Sequence, residues 1–383
     1  MTRITPALLL TFFLAASINA QDKLRMLLPP QIYAVTGQEV NVYFDNVILT
    51  SNCRNFIFDV NCPKGRQDSI RWRMVPKDSD VGRIPFELNI LDSENKKISQ
   101  AKSEIIIVSR NAGAGKEFSI LIVGDSLTDA SVYPNELKKL LQESGNPNVK
   151  FIGSHAGHGQ TIDETHVPHE GRGGWTWNSF CKMYDTSKND YRSKSPFLFL
   201  DEKGKPVLDF KKYLDQYNGG NAPDFITVFL GTNDVFSCND ASIDKKIDDI
   251  FGYADILISE FRKAAPQCRI GLITALPPSA SQDAFGENYA CGQTRWQFRR
   301  NQHRLLERLY QKFANSKDNI SIIPAYLNID CENNYPVKGG TANERSKRAI
   351  SRASNGVHPS VEGYFQIADS LFSWLKYKLS EKN

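Results

Sequence analysis

From residue 118 onward the chain alternates short, almost wholly apolar runs with longer amphipathic ones, and that alternation limits the folds open to it. FSILIVG (118–124), VKFIGS (149–154), DFITVFLG (224–231), RIGLITAL (269–276) and ISIIPA (320–325) read as strands with no polar face. VYPNELKKLLQES (132–144), KKIDDIFGYADILISEFRKAA (245–265), TRWQFRRNQHRLLERLYQKFA (294–314) and VEGYFQIADSLFSWLKYKL (361–379) read as helices with one apolar stripe. Strands without a polar face need cover on both sides. Five of them joined by helical crossovers predict a parallel sheet between two helical layers. In such sheets ligands sit beyond the carboxyl ends of the strands, so the loops leaving these strands are where chemistry is expected.

The preceding segment, residues 21–110, has a different rhythm. EVNVYFDNVIL, NFIFDV, SIRWRMV, PFELNIL and SEIIIVS are short β-prone runs separated by turn residues. They predict a small all-β sandwich, Ig-like in character. It carries no catalytic constellation and is expected to be an accessory module: a spacer, a packing partner or a carbohydrate-binding surface. NAGAGKE is Gly/Ala-rich, so a linker is expected over 111–116, with the α/β domain over 117–383.

Residues 1–20, MTRITPALLLTFFLAASINA, combine an early arginine, an apolar run from Ala7 to Ala16 and small residues. That is the pattern of a secretory signal peptide, and the run is too short to span a bilayer. The expectation is a secreted or periplasmic protein with no membrane span. Of seven cysteines, Cys53 and Cys62 are near enough in sequence to staple a hairpin; the rest read equally well as buried thiols. The net charge of +4 is spread along the chain and no nucleic-acid motif is present, so no nucleic-acid partner is expected.

The strand-end loops are distinctive. After the first strand comes GDSLTD, with Ser126 at a strand-to-helix turn, where a hydroxyl stands near a helix N-terminus that favours developing negative charge. GRGGWT follows the second strand, GTND the third and NGVHP the last. Singly these are an N-cap serine, turn glycines, a turn asparagine and a surface histidine. Together, in this order, they resemble the SGNH, or GDSL, hydrolases, and the resemblance spans residues 117–379. It implies a flavodoxin-like three-layer α/β/α fold and a serine esterase needing no cofactor or metal. It makes Ser126 the nucleophile and His358 the general base. The oxyanion hole falls to the Ser126 backbone N–H, Gly174 and Asn233, with Gly171 and Gly173 as weaker choices in the same turn. The chemistry suits these residue types: a neutral hydroxyl needs a base, and the tetrahedral intermediate needs preorganised donors.

One position departs from the family pattern, which is usually Asp-x-x-His. Here Asn355 stands three residues before His358. The orienter of the imidazole is therefore the Asn355 amide oxygen, a backbone carbonyl of the loop, or a carboxylate from elsewhere. Around the second strand end, His155, His158, His166 and His169 mix with Asp163, Glu164 and Glu170. Their spacing fits no metal motif, and a polar loop at the pocket mouth is expected rather than a metal site. Glu170 and Arg172 flank the oxyanion turn and either lock it or touch substrate. Trp175, Trp177 and Trp296, in aromatic and polar insertions, are candidates to face a sugar. The substrate expected is an acylated carbohydrate, most simply an O-acetylated one, or a small ester. The alternatives are a lipase or general carboxylesterase, or a catalytically silent glycan-binding protein.

Overall fold

The structure, a computed structural model, describes residues 24–316 and 318–381. The expected signal peptide lies outside the described residues. The N-terminal strands are β1 (Gln31–Val35), β2 (Val40–Tyr43), β3 (Ile57–Asn61), β4 (Arg66–Gln67), β5 (Arg71–Met74), β6 (Gly82–Leu91) and β7 (Lys97–Val108), with one helical turn, α1 (Phe44–Val47). They form two sheets, β1-β7-β6-β3 and β2-β5-β4. Trp72 of β5 meets Phe86 of β6 edge to face with ring centroids 5.2 Å apart, so the sheets pack across a shared apolar layer.

The parallel sheet begins with β8 (Glu117–Gly124), followed by β9 (Asn148–Ile152) and β10 (Glu170–Gly171). A small hairpin, β11 (Leu198–Leu200) and β12 (Pro206–Leu208), precedes β13 (Phe225–Phe229), β14 (Arg269–Ile273) and β15 (Ile320–Ile323). β8, β13, β14 and β15 lie in that order, all parallel. β9 pairs with the first half of β8 and β10 with its last two residues, so the outer position is shared by two strand pieces. The outcome is the expected five-position, doubly wound sheet, with its switch point between β8 and β13.

Alternate residues of β8 enter different cores. Ile120 and Ile122 pack with Leu137, Leu371 and Trp374, which belong to α3 (Val132–Gln142) and α11 (Val361–Ser380). Leu121 and Val123 share the other core with Leu257, Phe261 and Leu305, from α7 (Ile243–Ala264) and α9 (Arg295–Phe313). This is the period-2 logic of a strand covered on both faces.

The N-terminal sheets are not held off on a spacer. Ile32, Val42, Phe44, Trp72 and Ile105 belong to one continuous core with Leu272, Leu306, Tyr326 and Leu327. Buried polar bonds cross the same boundary. Asn46 donates to the carbonyls of Tyr326 and Ile329 at 2.9 and 2.8 Å, and the buried Arg299 donates to those of Asp45 and Ile48 at 2.6 and 3.2 Å. Residues 111–116, expected as a linker, are a series of tight turns packed on Leu379, whose carbonyl accepts from Lys116 Nζ at 2.9 Å. All seven cysteines are free thiols. Cys53 and Cys62 sit before and after β3, and the disulfide expected of them is not formed.

Candidate active site

β8 ends at Gly124, where an added Cβ would lie 1.9 Å from Thr128 Oγ1, so only glycine permits the tight turn. Asp125 then caps a short helix, α2 (Ser126–Asp129), its Oδ1 accepting from the Leu127 N–H at 3.0 Å. This leaves Ser126 half-buried at the first helical position, above the carboxyl edge of the sheet. His358 Nε2 lies 2.8 Å from Ser126 Oγ, although 232 residues separate them in the chain. Burial lowers the basicity of His358 below the ordinary imidazole value, with no carboxylate opposing it.

Asn355 does not face the imidazole. Its Oδ1 accepts from the backbone N–H groups of Val357 and His358, at 3.0 and 2.8 Å. The side chain therefore holds the loop backbone rather than Nδ1, and the expectation that its oxygen meets Nδ1–H is corrected on that geometry. Among the described residues nothing hydrogen-bonds to His358 Nδ1. The loop is fixed elsewhere too. Gly356 packs against the Phe285 ring, where a Cβ would come within 2.5 Å, and its carbonyl accepts from the Ser279 N–H at 3.1 Å.

In the Gly-rich turn, the N–H groups divide by engagement. The Gly171 N–H donates to His169 Nδ1 at 2.9 Å and the Gly173 N–H to Asp129 Oδ2 at 3.2 Å. Gly174 is exposed at φ +80°, with open space where a Cβ would be, and among the described residues its N–H and that of Ser126 have no protein acceptor. Asn233 lies on α6 (Thr232–Val235), the turn leaving β13. Its Nδ2 donates to Asp125 Oδ2 at 3.2 Å and to the Trp175 carbonyl at 3.0 Å. One amide thus bridges the immediate neighbours of Ser126 and Gly174. Burial pushes the Asp125 carboxyl up to about 7, and the nearby charges of Asp234 and Asp129 push the same way. A partly neutral Asp125 holds the Asn233 N–H less firmly than a full carboxylate would.

Glu170 and Arg172 are buried, 0% and 3% exposed, which favours the locking alternative over contact with substrate. Glu170 Oε1 accepts from the Ser154 N–H and the Tyr213 hydroxyl, both at 2.7 Å, and Oε2 accepts from Arg172 Nη2 at 2.8 Å. The pair ties the loop after β9, β10 and α5 (Phe210–Tyr217) together beside the Gly-rich turn. Glu170→Ala strands a buried guanidinium. It is expected to lower unfolding free energy by about 3–5 kcal/mol, read from the shift in the urea midpoint at unchanged slope. Trp175 and Trp177 are also core residues, 4% and 5% exposed. Trp175 packs on Phe180 at 4.9 Å. Trp296 is half-buried beside the Arg300 guanidinium.

The histidines are individually engaged. His155 Nε2 bonds to the Gly171 carbonyl at 2.7 Å, His169 Nε2 to Ser131 Oγ at 2.6 Å, and His166 Nδ1 to Asp163 at 2.8 Å. Among the described residues no three metal-ligating side chains group together. Asp129 was not singled out from the sequence, yet it organises the site. It accepts from the N–H groups of His158 and Gly173, and from the Tyr191 hydroxyl at 2.7 Å. It thereby ties the Ser126 helix to the oxyanion turn and to the insertion. The only sequence signal was an acid closing GDSLTD.

A hydroxyl at a strand-to-helix elbow within 2.8 Å of an imidazole nitrogen is the pairing that a serine hydrolase requires. The sequence model of the GDSL-like lipase/acylhydrolase family matches residues 120–371. The chain belongs to that family and is a carboxylic ester hydrolase. No curated protein sequence matches it. Among solved structures, the family 3 carbohydrate esterase of Clostridium thermocellum is similar at 17% identity and a TM-score of 0.39, over 70% of this chain and 100% of that one. The family 3 carbohydrate esterase of Talaromyces cellulolyticus is similar at 17% identity and a TM-score of 0.36, over 70% and 100%. A carbohydrate acetylesterase family member from Sinorhizobium meliloti is similar at 15% identity and a TM-score of 0.39, over 69% and 100%.

Proposed function

We propose that the protein is an exported serine esterase that removes short acyl groups, O-acetyl first among them, from carbohydrate. The 2.8 Å contact between His358 Nε2 and Ser126 Oγ carries the reading. His358 takes the Ser126 proton as Oγ attacks the ester carbonyl. The tetrahedral oxyanion is received by the N–H groups of Ser126 and Gly174 and by Asn233 Nδ2, which turns from Asp125 towards it. His358 then returns the proton to the leaving sugar oxygen, and water repeats the sequence on the acyl-enzyme.

The short-acyl part rests on the surface. Large exposed apolar side chains, such as Ile57, Val75, Ile162, Met183, Leu200 and Val337, lie on separate segments of the chain. A long acyl chain needs contiguous apolar surface to leave water. The aromatic insertion adds less than its composition suggests, because Phe180, Phe197, Phe210 and Tyr213 pack on one another. Tyr191, half-buried against Asp129, is the ring left near the site. Export rests on the pattern of residues 1–20.

Turnover of p-nitrophenyl esters of rising chain length, with acetate release from acetylated polysaccharides, tests the reading. Activity falling from two carbons to eight supports it, and a preference for eight carbons makes the protein a lipase instead. Asn233→Ala is expected to lower kcat by about 10²–10³ with a smaller change in KM, because the amide meets charge that exists only in the transition state. An effect confined to KM would make Asn233 a substrate-binding residue.

A further inference from the structure

The ester hydrolysis described above makes no use of the hairpin β16 (Val337–Asn343) and β17 (Ser346–Ala353). Its sequence, VKGGTANERSKRAISRA, holds Lys338, Arg345, Lys347, Arg348 and Arg352 against one acid, Glu344. Along α9, Arg300, Arg304, Arg308 and Lys312 pair with Asp240, Asp244, Asp248 and Asp255. On the hairpin, Lys338 alone has an acid, Glu287 at 2.6 Å. Arg345, Lys347 and Arg348 are exposed and make no ion pair among the described residues.

Core packing does not explain this arm, since almost every residue of it is exposed or half-buried. A lone two-stranded ribbon is marginal in water. This one is braced at specific points. Arg352 donates across the strands to the Thr341 and Ala342 carbonyls at 3.0 and 2.7 Å, and Lys338 reaches Glu287 on α8 (Asp283–Tyr289). The same α8 supplies Phe285, against which Gly356 of the His358 loop packs. The arm and that loop are also continuous in sequence, Ala353 leading through Ser354 to Asn355. One helix therefore holds a cationic ribbon and the imidazole loop in fixed relation. The eight residues of β17 extend about 26 Å at ~3.3 Å per residue, so the arm is long enough to meet more than one sugar unit of a chain.

We propose that this arm is a subsite for an anionic polysaccharide bearing carboxylates along its chain, a uronate polymer, which it guides toward Ser126. The proposal rests on the carbohydrate-deacylation reading and names its substrate class. Cations on a ribbon meet repeating carboxylates without a shaped pocket, through charge-assisted hydrogen bonds and field attraction that salt screens. Polymers are then preferred over monomers, because a chain brings several carboxylates to the arm and a monomer one.

The test uses the Ser126→Ala protein in affinity gels containing polygalacturonate or neutral xylan, and with phosphatidylglycerol vesicles. Retention by polygalacturonate, lost at about 1 M salt where the screening length falls to about 3 Å, is expected. The exposed triple variant Arg345→Gln, Lys347→Gln, Arg348→Gln should bind about tenfold more weakly at low salt. With Ser126 restored, the same variant should raise KM for acetylated polygalacturonate by a similar factor, with kcat little changed. Equal retention by xylan, preference for the vesicles, or a triple variant that binds as wild type overturns the proposal. Retention without acetate release from any polysaccharide leaves the anionic subsite standing and removes the deacylation reading. Acetate release that ignores both polymer charge and the triple substitution does the reverse.

Discussion

Ser126→Ala is expected to lower kcat/KM for acetate esters by about 10⁴-fold or more, with stability within about 1 kcal/mol of wild type. The loss is large because the covalent route disappears with Oγ. What remains is water attacking a carbonyl polarised by the Gly174, Ser126 and Asn233 donors. The stability change is small because the hydroxyl is half-buried and its one side-chain partner, His358 Nε2, can meet water instead. The measurement is steady-state hydrolysis of p-nitrophenyl acetate, with a fluorophosphonate probe followed by peptide mapping. Wild type should label at Ser126 and the variant should not. A variant retaining activity within tenfold of wild type would refute the nucleophile assignment, and unlabelled wild type would favour a silent glycan-binding protein.

Much of this architecture was legible because it is written in long-period apolar patterning. The strands containing Ile120, Ile226 and Leu272 are apolar on both faces and are central in the sheet, while the shorter apolar run at Ile322 forms its edge. The elbow at Ser126 and the loop at His358 were legible because glycine and proline punctuate them. Three kinds of feature were not. β10 is two residues long and rejoins β8 only after the 153–169 excursion, too short to leave a periodic trace. Burial of Glu170, Trp175 and Trp177 depends on what α5 and α7 bring over them, and composition treats a core tryptophan and a sugar-stacking one alike. The fusion of the N-terminal sheets to the α/β core was hidden because its contacts join residues such as Asn46 and Tyr326, 280 apart in sequence.

Asn355 is a residue whose use the sequence left open, with its amide, a loop carbonyl and a distant carboxylate all eligible to orient the imidazole. A lone amide before a histidine suggests an imbalanced triad. In the structure the amide oxygen is spent on two backbone N–H groups, and His358 meets Ser126 as a dyad. Asp129 is the converse: a side chain accepting from His158, Gly173 and Tyr191 is central to the site, while its position at the end of a helical turn carries no mark of that.

His358→Ala is expected to cost about 10⁴-fold in kcat, since the serine then has no base within reach. The pH profile makes the prediction specific. The base works only when neutral. Burial lowers its basicity below the ordinary value of 6.5, and no carboxylate pulls it back. The acidic limb of kcat/KM should therefore lie below pH 6.5, so that the enzyme keeps working in mild acid. Asn355→Asp preserves both loop hydrogen bonds, because a carboxylate oxygen accepts from the Val357 and His358 N–H groups as an amide oxygen does. It also adds a negative charge to the loop that carries the imidazole. Protonated His358 is then favoured, and the limb should move up. Asn355→Ala removes the loop bonds without adding charge, so kcat should fall while the limb stays where it was. The three profiles separate a held loop from a charge relay. If the Asn355→Asp limb does not move while some distant Asp or Glu proves essential for kcat, His358 is oriented by that acid and the dyad account fails.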